Sequence, residues 1–260
     1  MIPYFETTYH PTANPAFLPT EFTPLTAGHG ITPFGGRPFL WGRLGDLIVE
    51  ALGVPVAFYS AAFGGSNLEQ TAWSALGQYF SHSFVRAEIR MPYINIENTL
   101  FHLVPRTGLR AVLSAHGVND WSSSENQFFA NHKTVIDFSR QRPELANLTW
   151  MVAKSCYKEG GINQDIVNAQ VRLVREVSNV FAGADLNTIG DEGRFFEEGL
   201  RLHFNELGMA MAAERWRDAL INSNFQNNSN PIMPALPVKP EGSLPVSRSI
   251  SKRVKVRRAK

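Results

Sequence analysis

The chain of 260 residues predicts an α/β fold, a doubly wound parallel sheet wrapped by helices. Three observations carry this. The apolar pattern switches repeatedly between strand-type runs and helical stripes. The strand-type runs are apolar on both faces, as strands covered from both sides must be. An apolar share of 43% against 18% charged residues supplies a sizeable core and excludes wholesale disorder.

Residues 1–34 carry many Pro, Thr and aromatic residues without a strong period and read as an irregular segment. Over 38–52, Leu40, Leu44, Leu47, Ile48 and Leu52 share one helical face, and Gly53 suits the left-handed cap that ends a helix. The continuous apolar run at 54–62 predicts the first strand. A helix over 95–104 follows, closed by Pro105 and Gly108, and then a strand over 109–115. Residues 125–142 predict a helix with Ser124 as its N-cap. Residues 148–155 predict the third strand. In the helix predicted over 163–180, Ile166, Ala169, Gln170, Leu173, Val174 and Val177 form one stripe. A short fourth strand over 180–186 and an amphipathic helix over 206–220 complete the pattern.

The domain is expected to span 1–222. Residues 223–260 read as a Pro/Asn/Ser-rich linker and basic tail, expected to be disordered. Residues 221–260 hold eight Lys/Arg against the single acid Glu241, leaving 17 basic and 22 acidic residues in 1–220. The pI of 8.7 therefore belongs to the tail, and no nucleic-acid partner is expected for the body. As a functional element the tail is a polyanion-binding arm; otherwise it is a solvated end. No apolar run is long enough to span a membrane, and no signal peptide is present as written, which leaves localisation open. The lone Cys156 excludes an internal disulfide and a multi-cysteine zinc site, and reads as a buried structural thiol.

In a doubly wound sheet, ligands bind beyond the carboxyl ends of the strands. Polar clusters follow the predicted strands at 63–70, 116–121, 154–161 and 185–194, and another lies at 203–208. Gly64-Gly65-Ser66-Asn67 brings backbone N–H groups close to a ligand at a helix start, or else makes a tight strand-to-helix turn. It is no Walker loop, since no Gly-Lys-Ser/Thr follows. Gly117-Val118-Asn119-Asp120 offers a carboxamide for a developing oxyanion, or an Asx turn capped by Asp120. His203 presents an imidazole just before a helix, or is a structural histidine. Ser114 and Ser155 read as packed or hydrogen-bonded hydroxyls. Phe63, Trp73, Trp121 and Tyr157 either stack on sugar faces or pack.

Taken in order, these segments resemble the SGNH (GDSL-type) hydrolases, in particular the sialate O-acetylesterase-like and carbohydrate acetylesterase branch, from about Phe34 to Leu220. VPVAFYSAAFGGSNLEQTAW is similar to that branch's second motif, AHGVND to its Gly-x-Asn-Asp motif, and LHFNELGMAMAAERW to the segment carrying the catalytic base. The resemblance implies a three-layer α/β/α fold and a serine esterase acting on acetylated carbohydrates, without a metal or organic cofactor. It makes Gly65 and Asn119 the oxyanion donors and His203 the base, with Gly64, Asp120 and Trp121 lining the substrate.

Two departures bear on activity. No Gly-Asp-Ser or Gly-Gln-Ser motif precedes Phe63, and the usual first strand is expected to be missing, as in an N-terminally truncated chain. Ser66 is the alternative nucleophile. The family's acid three residues before the histidine is Leu200 here, which leaves Glu198, Glu197 or Asp191 to orient His203, or a dyad without an acid. The competing readings are a non-catalytic domain of the same fold that binds a glycan or a protein, and a nucleotide- or phosphate-binding domain using the Gly64–Asn67 turn.

Overall fold

A computed structural model describes Phe22, Leu25 and residues 40–195 and 201–235. Apart from Phe22 and Leu25, the irregular segment expected over 1–34 lies outside the described residues. So do Glu197, Glu198 and the basic end of the tail.

Helix α1 (Trp41–Leu52) buries Leu44, Leu47 and Ile48 and ends at Gly53 in the left-handed region, φ 65°. Leu52, in its last turn, is exposed instead. The run at 54–62 is not a strand of the sheet but an extended segment with one bridge residue, Ser60. Its burial is one-sided. Val56 and Phe58 pack toward α1, whereas Val54 and Ala57 face solvent. Helix α2 (Leu68–Ala75) starts at Asn67, which forms a capping box with Gln70.

The helix expected over 95–104 is compound. Helix α3 (Tyr93–Asn98) passes through a π-helical turn, Thr99–Leu103, into the short α4 (Val104–Thr107). Pro105 opens α4 rather than closing a helix, because a first-turn residue needs no N–H. Gly108 provides the stop, with φ 73°.

Strands β1 (Val112–Ser114), β2 (Trp150–Lys154) and β5 (Val180–Asp185) form a parallel sheet in the order β1-β2-β5. Val112 lies beside Trp150, and Trp150 beside Val180. Between them run α5 (Glu125–Ser139), capped by Ser124 as predicted, and α6 (Gln164–Glu176), capped by Asn163. Residues on β2 alternate between two cores, as the strand period of two requires. Trp150 and Val152 join Leu68 of α2, Phe128 and Ile136 of α5, and Ile166 and Leu173 of α6. Met151 and Ala153 join Leu44 and Ile48 of α1 and Trp216 of α7 (Glu206–Ile221).

A small hairpin, β3 (Tyr157–Lys158) and β4 (Gly161–Ile162), follows β2. Its turn residues Glu159 and Gly160 both have positive φ, 50° and 81°.

The linker expected from residue 223 onward is, up to Ala235, part of the domain. Helix α8 (Ser223–Asn228) buries Phe225, over which the Arg110 guanidinium stacks at 4.9 Å. Arg110 also donates to the Ser229 carbonyl at 2.9 Å, Ile232 bridges Leu109, and the Ala235 N–H reaches the Pro105 carbonyl at 2.9 Å. Asn and Pro dominate this stretch, so its two apolar anchors carry no period that a sequence reading could detect.

Candidate functional site

The carboxyl ends of β1, β2 and β5 open onto the loops the motifs occupy. After β1, the chain turns at Gly117, whose φ of 148° and contact with the Ser155 carbonyl leave no place for a Cβ. Val118–Asp120 make one 3₁₀ turn. Its last two residues grip the Gly64–Asn67 turn. The Asn119 carboxamide donates to the Ser66 carbonyl at 2.9 Å, and Asp120 Oδ1 accepts the Leu68 N–H at 2.7 Å. Asn119 itself is exposed, as are Gly64 and Gly65. Gly65 has φ +80°, and the tip of the Phe84 ring lies 2.6 Å from where its Cβ would stand. Phe84 in turn stacks on Phe63, with ring centroids 6.2 Å apart.

Asp120 and Ser66 take places other than those expected, whereas Ser114 is the hydrogen-bonded hydroxyl it was expected to be. Asp120 does not line a substrate: it is 3% exposed and its carboxylate caps α2 across the fold. Ser66, the alternative nucleophile, is buried and donates its hydroxyl to the Phe63 carbonyl at 3.0 Å, closing the turn. Ser114 is buried too, with its Oγ 3.0 Å from His132 Nε2. Trp121 is half-buried, with Lys158 Nζ 5.9 Å from its ring centroid. The N-terminus of α2 is also filled from within. Leu68 N–H goes to Asp120, Gln70 N–H to Asn67, and Asn67 N–H to Gln70. A phosphate arriving at the α2 N-terminus would meet the Asp120 carboxylate and find the Asn67, Leu68 and Gln70 N–H groups already taken.

Behind the Asn119 turn lies a buried polar group that the sequence did not announce. The His116 and His132 rings are 6.1 Å apart, and His132 packs against Phe128 and Trp150. Burial, reinforced by His116, pushes the His132 imidazole down to about 3. Burial also lowers His116, against the opposing pull of Asp120. It raises the Asp120 carboxyl, against His116 and the Leu68 N–H. Asp120 Oδ2 and His132 Nδ1 are buried without a hydrogen-bond partner. The one available signal was His132 four residues after Phe128, on the apolar stripe of α5.

His203 lies in the loop between β5 and α7. It is exposed, and its carbonyl accepts the Phe195 N–H at 3.0 Å. Two residues hold this loop. Asn205 caps α7 through the Gly208 N–H and donates to the carbonyls of Glu192 and Arg194. Arg194 is buried and donates to the carbonyls of Ile189, Leu186 and Leu202, with Tyr157 and Phe204 against its guanidinium. Asp191, one of the acids considered for His203, is engaged elsewhere: Oδ1 accepts the Tyr157 hydroxyl at 2.5 Å, and Oδ2 pairs with Arg201.

Cys156 is fully buried between the Asn163 carbonyl and the Asn187 carboxamide, and burial pushes its thiol up, away from the reactive thiolate. Among the described residues, no cluster of three or more His, Cys, Asp or Glu is placed to hold a metal, and no helix is long and apolar enough to cross a membrane. No protein-family model, curated protein or solved structure matches the chain.

Proposed function

We propose that the chain has the three-layer, doubly wound architecture of the SGNH hydrolases, and that Gly65 and Asn119 receive the carbonyl oxygen of a carboxylic ester, with acetylated carbohydrates as the substrate class. The Asn119 carboxamide carries this reading. One of its N–H groups is held by the Ser66 carbonyl at 2.9 Å, which fixes the amide plane of an exposed residue beside two exposed glycines. A donor fixed in advance, with a second N–H still to give, is what a developing oxyanion requires.

His203 supplies the imidazole that takes a proton from an attacking water, whose oxygen bonds to the acyl carbon, and returns it to the leaving alcohol as the ester C–O bond breaks. Two strand spacings, roughly 10 Å, separate the exits of β1 and β5.

A second reading is favoured by the serines. Ser66 and Ser114 both direct their hydroxyls to internal partners, which suits a domain that binds an acylated glycan without cleaving it. Turnover of p-nitrophenyl acetate and of acetylated sugars by the full chain separates the two. Hydrolysis should fall roughly 100- to 1,000-fold in kcat in Asn119→Ala, and disappear in His203→Ala. Binding of acetylated sugars without turnover, lost in Asn119→Ala, supports the second reading. Turnover that survives both substitutions overturns the site.

A further inference from the structure

Beside the Gly64–Asn67 turn stands a second, smaller core. Phe80, Val85, Ala87 and Met91 are buried together, with Phe63 and Trp73 packed against them. Phe84, next to Val85 in the chain, is turned out of this core and is 42% exposed. Its exposure does not leave it loose. His82 Nδ1 accepts the N–H groups of both Phe84 and Val85, at 3.3 and 3.1 Å, which fixes the backbone that carries the ring. The His82 ring stands nearly perpendicular to the Phe84 ring, with centroids 4.4 Å apart, and Phe63 stacks on it at 6.2 Å.

Held in this way, the ring points at one place. Cζ and Cε2 of Phe84 stand 2.6 and 3.0 Å from the point where a Cβ on Gly65 would lie. That puts Cζ within van der Waals reach, about 4 Å, of the Gly65 Cα. Glycine is required here twice, by a φ of +80° and by the ring.

An ester carbonyl received by the Gly65 N–H and the Asn119 carboxamide has two substituents to place, and the two sides offered to them differ. Beside Gly65 the surroundings are hydrocarbon, Phe63 and Phe84 over the buried Val85, and His82 Nδ1 is already spent on the backbone. Beyond Asn119 stands Trp121, with the Lys158 ammonium 5.9 Å from its ring centroid. A sugar hydroxyl pressed against phenyl rings loses its hydration without replacement, whereas an acyl methyl gives up none.

We infer that Phe84 is the wall that ends the acyl side of the site and limits the acyl group to a short one, acetyl foremost. The inference rests on the proposal that Gly65 and Asn119 receive the ester carbonyl, and adds to it the residue that selects the acyl group. A longer chain has to displace a ring braced by His82 and Phe63, so discrimination is steric.

The test compares p-nitrophenyl acetate with p-nitrophenyl butyrate on the full chain, as a ratio of kcat/KM values, which does not depend on the fraction of active molecules. Acetate should lead by roughly 100-fold, at about tenfold for each added methylene. Phe84→Ala removes an exposed ring outside the Phe80–Met91 core and should cut that lead by about tenfold or more. Phe84→Leu, which keeps more of the apolar bulk, should cut it by less. Where binding occurs without cleavage, the same comparison is read as a ratio of Kd values for 6-O-acetylglucose and 6-O-butyrylglucose, with the same order among the three proteins.

Turnover without an acetate lead, or with a lead that both variants leave unchanged, overturns the wall and leaves the Gly65–Asn119 site standing. A binding preference that relaxes in Phe84→Ala, without turnover, removes hydrolysis and leaves the wall. A chain that neither cleaves nor binds these esters overturns the wall together with the site.

Discussion

His132 is held neutral by its surroundings, with Phe128 and Trp150 against the ring and Ser114 on Nε2. Its folded value of about 3 lies below the ordinary histidine value of 6.5. A depressed base stabilises the fold above its unfolded value and loses that contribution as pH falls toward the folded one. Between pH 6.5 and 3 the loss is on the order of 5 kcal/mol at 1.36 kcal/mol per unit. His116, also lowered, acts in the same direction, whereas the raised Asp120 carboxyl acts oppositely. Urea titrations across this window should show stability falling with acid, and His132→Gln should flatten the slope. An unchanged slope would place the acid sensitivity elsewhere.

Gly117→Ala combines a forbidden φ with a Cβ that overlaps the Ser155 carbonyl. A cost of roughly 3 kcal/mol or more in urea unfolding is expected. At this scale the sequence was legible where a residue's neighbours in the chain decide its role, as at the Gly53 and Ser124 caps. It was not legible where the partner lies far away. Asp120 looked like an Asx-turn residue and caps a helix 52 residues earlier, while Arg194 passed unnoticed because carbonyls, which carry no sequence signature, are what it binds.

Among the elements, the helices with an amphipathic stripe and a capping residue fall close to their expected places, because stripe and cap are both local properties. The strands are harder, since pairing is a property of two segments. The 54–62 run has the composition of a buried strand yet is at most half-buried and forms no strand of the described sheets. The β3–β4 hairpin was missed although Glu159-Gly160-Gly161 is a turn signal, its flanking strands being two residues each. The α7 cap offers a test of the loop that presents His203. Asn205→Ala removes the cap and two cross-loop bonds, and should cost about 2 kcal/mol, whereas Ser124→Ala, an ordinary cap on α5, should cost about 1 kcal/mol. Equal losses in thermal unfolding would mean that the carbonyl contacts add nothing.

For the whole molecule, the boundary that composition set at 222 falls inside a packed unit. Truncation after Asn222 removes Phe225 from its site under Arg110 and Ile232 from its bridge with Leu109. Stability should drop by about 2–3 kcal/mol, the contribution of one fully buried large side chain, and Phe225→Ala should reproduce most of it. An unchanged melting profile would show that residues 223–235 only lie against the domain.

This clasp also decides direction. Ile232 and Ala235 are fastened at Leu109 and Pro105, ahead of β1, and Asn230 at Thr149, ahead of β2, so the described chain leaves the body from the amino-terminal end of its strands. Asn119 stands beyond the opposite end, in the turn that follows β1. A tether attached directly at Ala235 would therefore meet the domain at the amino-terminal end of its strands, away from that turn.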